Sequence, residues 1–331
     1  MSRAAEDGPD RGTGLILSST AQRCYWLGRY LERAESTARL IMVNGRLLYD
    51  LPKRLPLGWQ GLVDITGSQK LFAEHYDEPS ERNVARHLIN DVRYPGSLFC
   101  SVEAAKENVR TLRGIIPRKN VEYINDLHLF VRENLSEPLS RTRRVQGLSE
   151  VQSAIERIEG FMSANMLHDG HWSFLRLGNF LERADMTSRI LEAGCNDPLD
   201  EASDLEPFSD IQWRNVLLSL DATQSYNQIV QGPVSQEAVL DFLVHNARLP
   251  RSLAYPLDSL RNNVRNLPRC DRVLRAVNRL RRQVAGTDIG TFEIDEVRVF
   301  VDEFQKQLAE IHGLITRTYF VFKPIRRRSG K

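Results

Sequence analysis

Cysteine is scarce in this chain of 331 residues: Cys24, Cys100, Cys195 and Cys270, with no CxxC pair and no metal-ligand spacing. That excludes a recognisable thiolate metal site or disulfide framework and leaves reduced core thiols, as expected of a cytoplasmic protein. Net charge is equally scarce, +2 from 45 Lys and Arg against 43 Asp and Glu, so whole-molecule electrostatics give no reason to expect nucleic acid. No apolar run approaches the roughly 18 residues of a membrane span. Residues 1–14 are polar and lack an apolar signal region, so a disordered leader is expected rather than an export signal. Period-two alternation, the mark of strands, is missing too. So are the Walker loop, the GxGxxG loop, the GxSxG elbow and the HExxH helix. A self-sufficient catalyst is not the leading expectation, and no cofactor or metal is implied.

What the chain does have, it has twice. LGRYLERAESTARLI at 27–41 returns as LGNFLERADMTSRIL at 177–191, with 8 of 15 positions identical at an offset of 150. RYPGSL at 93–98 returns as RLPRSL at 248–253, ENVR at 107–110 as NNVR at 262–265, and Trp59 as Trp213. An echo of this length predicts an internally duplicated fold. The periodicity is helical throughout. Ser18, Ser19 and Thr20 offer N-caps for a long helix ending before Pro52, with a stripe of Leu27, Leu31, Ala34, Ala38, Ile41, Gly45 and Leu48. Further helices are expected near 59–77, 80–93, 97–116, 119–136, 148–168, 171–194, 208–230, 235–247, 251–266, 268–284 and 293–320. The expected architecture is all-α: a helical bundle of about 10–12 helices with pseudo-two-fold symmetry. Its repeats span about 15–150 and 151–322 in one domain, followed by a basic tail at 323–331.

Beside the apolar stripe runs a charged one. Glu32, Glu35 and Arg39 are spaced by threes and fours, as are Glu182, Asp185 and Arg189, with Arg33 and Arg183 adjoining. An exposed Glu–Arg pair is worth only about 0.3–0.5 kcal/mol, a weak reason to write the set twice. Three readings stay open. The charges form a network that locks two helices in register. They line a cleft for a charged ligand. Or the carboxylates hold a metal, although neither copy has the Glu-x-x-His pair and arginines crowd the face. The corners Arg93-x-Pro-x-Ser97 and Arg248-x-Pro-x-Ser252 read as helix junctions with N-capping serines, and their arginines add a possible anion site. His168, Asp169 and His171 suggest either metal chemistry or a turn anchored by Trp172. Arg141, Arg143 and Arg144, read as a loop, form a basic cluster suited to an acidic partner.

These residues also carry a likeness. The segments LSSTAQRCYWLGRYLERAE at 17–35 and SFLRLGNFLERAD at 173–185, with the two Pro-Ser corners, Trp59, Trp213, Tyr319 and Phe320, resemble the bacterial alpha-E domain family. Where that family often has Asn before the corner proline, this chain has Tyr94. The resemblance implies an all-helical fold and a companion role beside a circularly permuted ATP-grasp peptide ligase. It also implies association with a transglutaminase-like peptidase and in some cases a proteasome-like peptidase. The expected function is that of an accessory subunit that binds the ligase, or its amino-acid or peptide substrate, through the Glu/Arg face. The alternatives are a small-molecule transferase or carboxylate-metal hydrolase in its own right, and a purely structural scaffold. No nucleic acid or membrane partner is expected.

Overall fold

A computed structural model describes residues 16–50, 58–136, 139–195 and 209–321. The expected leader, the basic tail and the acidic stretch at 196–207 lie outside the described residues. The described chain is all-helical, with fourteen α-helices and no strand among the described residues. No described helix is long and apolar enough to cross a membrane.

Two long helices, α1 (Ser18–Asp50) and α8 (Gly170–Cys195), cross at the centre. The apolar stripe read from the sequence is the buried face of α1: Leu27, Leu31, Ala34, Ala38 and Ile41 are all in the core, as are Leu177, Leu181, Ala184, Ser188 and Leu191 on α8. Around α1 pack α5 (Leu98–Thr111) and α7 (Arg141–Asn165), joined by α6 (Arg118–Asn134). Around α8 pack α12 (Ala254–Arg265) and α14 (Ile294–Ile315), joined by α13 (Asp271–Gly286). The short helices cross over. The helix α2 (Gln60–Ile65) lies on α8, and α9 (Ser209–Ser219) lies on α1, so each half covers part of the other's long helix. Burial of this kind ties the halves into one cooperative body.

Twelve helices were expected, and two of them are broken. The expected helix at 59–77 is α2 and α3 (Gln69–Ala73), separated at Gly67, whose φ of 62° belongs to the left-handed region that glycine enters without a Cβ clash. The expected helix at 208–230 is α9 and α10 (Thr223–Ile229), separated at Asp221 with a φ of 51°. Asp tolerates that region better than most residues, and nothing in its helical spacing marks the break. The remaining pair is α4 (Glu81–Asn90) and α11 (Gln236–His245). The echoed tryptophans pack on glycines near the far ends of the long helices: Trp59 on Gly45 and Trp213 on Gly194. The four cysteines are free thiols, Cys24 and Cys195 buried and the other two half-buried. Burial pushes the Cys24 thiol up to about 12, which keeps it protonated and unreactive.

The centre of the crossing is backbone against backbone. A Cβ on Gly28 would drive into the carbonyl oxygen of Leu175, and a Cβ on Gly178 into that of Tyr25. The relation is reciprocal in the echo's own numbering, because 25 and 28 answer to 175 and 178. Gly178→Ala is therefore expected to destabilise the protein by about 3 kcal/mol, the upper end for overpacking against atoms that cannot move. Gly160, inside α7, has nothing near its Cβ position. Gly160→Ala should instead stabilise by about 0.5–1 kcal/mol through the unfolded chain. Urea midpoints of the two variants, shifted in opposite directions, check the crossing.

Candidate functional site

The glycine crossing brings the next helical turn of each long helix within side-chain reach of the other. Glu32 and Glu182 are both 2% exposed. A carboxylate so far from water is tolerated only with counter-charge and hydrogen bonds, and each finds them on the opposite helix. Arg183 donates Nε and Nη2 to the two oxygens of Glu32 at 2.7 and 2.6 Å. Arg33 donates the same two nitrogens to Glu182 at 2.6 and 3.1 Å. The Glu-Arg dipeptides at 32–33 and 182–183 thus exchange partners across the crossing, in the bidentate geometry that a planar guanidinium favours.

Each pair has further support. Glu182 accepts a third bond from Arg29 Nε at 2.5 Å. Glu32 accepts from Asn179 Nδ2 at 2.8 Å and from Arg251 Nη1 at 3.4 Å. Arg251 continues to Glu35, which also accepts from Arg39 at 2.6 Å and from Gln152 of α7 at 3.0 Å. Arg39 is buried and donates its Nε to the Ser219 carbonyl at the end of α9. Burial lowers its guanidinium to about 10, against the opposing pull of Glu35. Asp185 and Arg189 pair with each other at 2.9 Å on the more open side. Burial opposes ionisation of Glu182, but the Arg29 and Arg33 guanidiniums outweigh it and hold the carboxyl at about 2. Glu35 is likewise held below its ordinary value: burial is overcome by Arg39 and Arg251.

Of the sequence candidates, Glu32, Arg183, Glu35 and Arg39 are linked through Arg251 into one network, Arg33 and Glu182 form a second with Arg29, and Asp185 and Arg189 sit on the border. The Arg and Ser positions of the two corners stand outside these networks, and the serines are the N-caps that the sequence reading expects. Ser97 and Ser252 are fully buried caps, whose hydroxyls accept the N–H of Cys100 and Tyr255. Arg93 is exposed and neutralises Asp91, donating Nε and Nη2 to it at 2.8 Å. Arg248 is exposed, and its backbone N–H donates to Asn246 Oδ1. Asn246 stands where the first corner has Asp91, and a neutral amide needs no arginine beside it. Glu107 pairs with Arg110 at the surface. Asp169 caps α8 by accepting the N–H groups of His171 and Trp172, while His168 stacks on Trp172 at 4.2 Å. That is the anchored-turn alternative, and no metal-binding group of side chains occurs among the described residues.

The residues missed from sequence are those where the echo diverges. Arg251 replaces the glycine of the first corner (Gly96), so an unmatched arginine in a matched hexapeptide was the available signal. Asn179 stands in the place of Arg29. Gln152 and Glu159, seven residues apart on α7, flank the apolar face of Leu148, Val151, Ile155, Ile158 and Met162 and have no counterpart in the echo. Glu159 accepts from Asn179 at 2.8 Å, and its carboxyl is pushed above the ordinary range by burial and by the charge of Glu32. Asn179 Oδ1 is buried and unpartnered beside a cavity of about 20 Å³ lined by Gly28, Glu159, Trp172 and Arg176, room for about one water molecule.

The fold and site define an all-helical protein held by Glu-Arg pairs exchanged between two central helices. Over residues 16–320 the chain matches the Alpha-E family, described as a predicted alpha-helical domain with a conserved ER motif, and it belongs to that family. It is also similar to uncharacterised proteins of Mycobacterium bovis and of two strains of Mycobacterium tuberculosis, each 25% identical over 316 residues. The match covers 87% of this chain but only 34% of each relative, so the chain spans about a third of their length. No solved structure matches it.

Two pH profiles follow from the buried carboxyls. Glu182 has a depressed folded-state pKa, so its contribution is complete above the ordinary value of 4.5 and is lost as pH falls towards about 2. Glu182→Gln should cost about 3 kcal/mol at neutral pH and flatten the acid limb of a stability–pH curve. Glu159 has the opposite sign. Its raised folded-state pKa favours the fold in acid and weakens it as pH rises through that value. Glu159→Gln keeps an oxygen for Asn179. It should be more stable than wild type at neutral pH, with the difference closing in acid, as read from urea titrations across pH.

Proposed function

We propose that this protein is a helical accessory subunit of an ATP-grasp-type peptide ligase, cytoplasmic like its partner, and that it assists small-peptide synthesis or modification. Transglutaminase-like and proteasome-like peptidases belong to the same proposed setting. The observation that carries this reading is the saturation of the charged centre. Each carboxylate of the lattice already has its arginines, and the adjoining cavity of about 20 Å³ is far below the roughly 300 Å³ of a small-molecule site. The lattice is therefore read as the lock that keeps the halves in register, and the ligase or its amino-acid or peptide substrate is met on the outer surface. In the longer relatives the matching region is one third of a larger chain and so is covalently joined to other parts, an arrangement compatible with an accessory role.

Size-exclusion chromatography with the ligase, followed by ADP release and peptide formation with and without this protein, tests the proposal. A co-eluting complex and raised peptide yield are expected, and both should survive Arg189→Ala, which leaves the central pairs intact. Separate elution together with unchanged ADP release and peptide yield would refute it. Stoichiometric iron, manganese or zinc in the purified protein would favour the rival carboxylate-metal enzyme.

A further inference from the structure

The arginines at 141, 143 and 144 are not in a loop. They form the first turn of α7, a helix of 25 residues. Two of them face α4 across a groove of about 500 Å³, well within the range of small-molecule sites. Arg82 and Arg86, one turn apart on the exposed side of α4, line its other wall. Four guanidiniums thus meet one carboxylate, that of Glu81.

The four are not equivalent. Arg144 is buried, lies over the Trp59 ring at 5.6 Å and donates one nitrogen to Glu81. Arg141 lies over the Tyr49 ring at 4.5 Å and donates to the Gly45 carbonyl. Both are positioned by aromatic faces, and each keeps donors to spare, since a guanidinium has five. Arg82 and Arg86 have no ion-pair partner among the described residues. At (i, i+4) they repel one another unless an anion lies between them and α7. The end of the groove adds to this field. Ser140 occupies the N-cap of α7, but its hydroxyl makes no capping bond. The first N–H groups of the helix therefore lack a side-chain cap at the positive end of its dipole.

We propose that this groove binds a small multiply charged phosphate, with Arg82 and Arg86 closing on an anion presented to Arg141, Arg144 and the start of α7. A diphosphate unit is the chemistry that four guanidiniums and a helix N-terminus recognise together. It could arrive as inorganic pyrophosphate or as the phosphate chain of a nucleotide. The inference stands apart from the choice of protein partner.

Isothermal titration of the full chain with inorganic pyrophosphate, ATP and citrate, each against sodium chloride of matched ionic strength, tests it. Saturable binding of pyrophosphate and ATP with similar affinity would support capture of the anion alone. Tighter binding of ATP would support a nucleotide in the groove. Binding of citrate as tight as that of pyrophosphate would overturn the phosphate assignment, and no saturable binding of either phosphate would overturn the site. The double variant Arg82→Ala/Arg86→Ala alters exposed side chains and should melt no lower than wild type without ligand. It should bind pyrophosphate at least tenfold more weakly, about 1.4 kcal/mol. Undiminished affinity in this variant would also overturn the proposal.

Discussion

Everything at the centre depends on burying two carboxylates where two helices touch backbone to backbone. Gly28 and Gly178 bring α1 and α8 too close for side chains at the contact itself. The next turns then fall opposite one another, and Glu32 and Glu182 are sealed from water. An unpaired carboxylate there would cost several kcal/mol. Only one relative placement of the helices gives both glutamates their bidentate arginines at once. A buried ion pair is poor evidence for net stability, because a well-packed apolar pair often does as well. What the exchanged pairs supply is selectivity of register. Sliding one helix by a turn would strand both glutamates and at least Arg33 and Arg183, a penalty that greasy side chains would not impose.

The two sides of this lock differ. On one side Glu182 has Arg29 as a second cation, backed by Tyr25 hydrogen-bonded to His312 at 2.7 Å. On the other side Asn179 takes the place of Arg29 and Glu159 approaches from α7, so a third acid stands beside Glu32. The balance is kept from outside the long helices, by Arg251 reaching in from the corner between α11 and α12. At the first corner Gly96 occupies the matching position, and the space over it is taken by the Tyr94 hydroxyl, which donates to the Thr66 carbonyl. Tyr94 and Arg251 are alternative ways for a corner to pack against the lattice, one neutral and one charged. The charged one stands on the side with the extra carboxylates.

Much of this was legible in the amino-acid sequence because helical periodicity and a 150-residue echo are local and redundant signals. The stripe of Leu27, Leu31, Ala34, Ala38 and Ile41 is buried as its spacing implies, and Glu32, Arg33, Glu182 and Arg183 were nominated by being written twice. Their reciprocity was not legible. Spacing says which side chains share a face, but not that Glu32 reaches past its own neighbour Arg33 to Arg183. The breaks at Gly67 and Asp221 were also hidden, because positive φ is chosen by tertiary packing as much as by residue type. Arg251, Asn179 and Glu159 escaped because a search for repetition passes over positions where the copies disagree, and those positions balance the local charge.

The division of charge between inside and outside bears on what such a protein can do. Arginines at the crossing are committed: moving one to a ligand would leave a carboxylate behind without counter-charge, so exchange with solutes is opposed by the same energy that sets the register. Arginines on α4 carry no such commitment. Arg82 and Arg86 stay solvated without a carboxylate, and together with Arg141 and Arg144 they leave a surplus of positive charge on one groove of a nearly neutral molecule. The central carboxylates Glu32, Glu35 and Glu182 have their arginines inside the body, whereas Arg82, Arg86, Arg141 and Arg144 share one surface groove in which Glu81 is the one carboxylate among the lining residues, the arrangement that the proposed anion site requires.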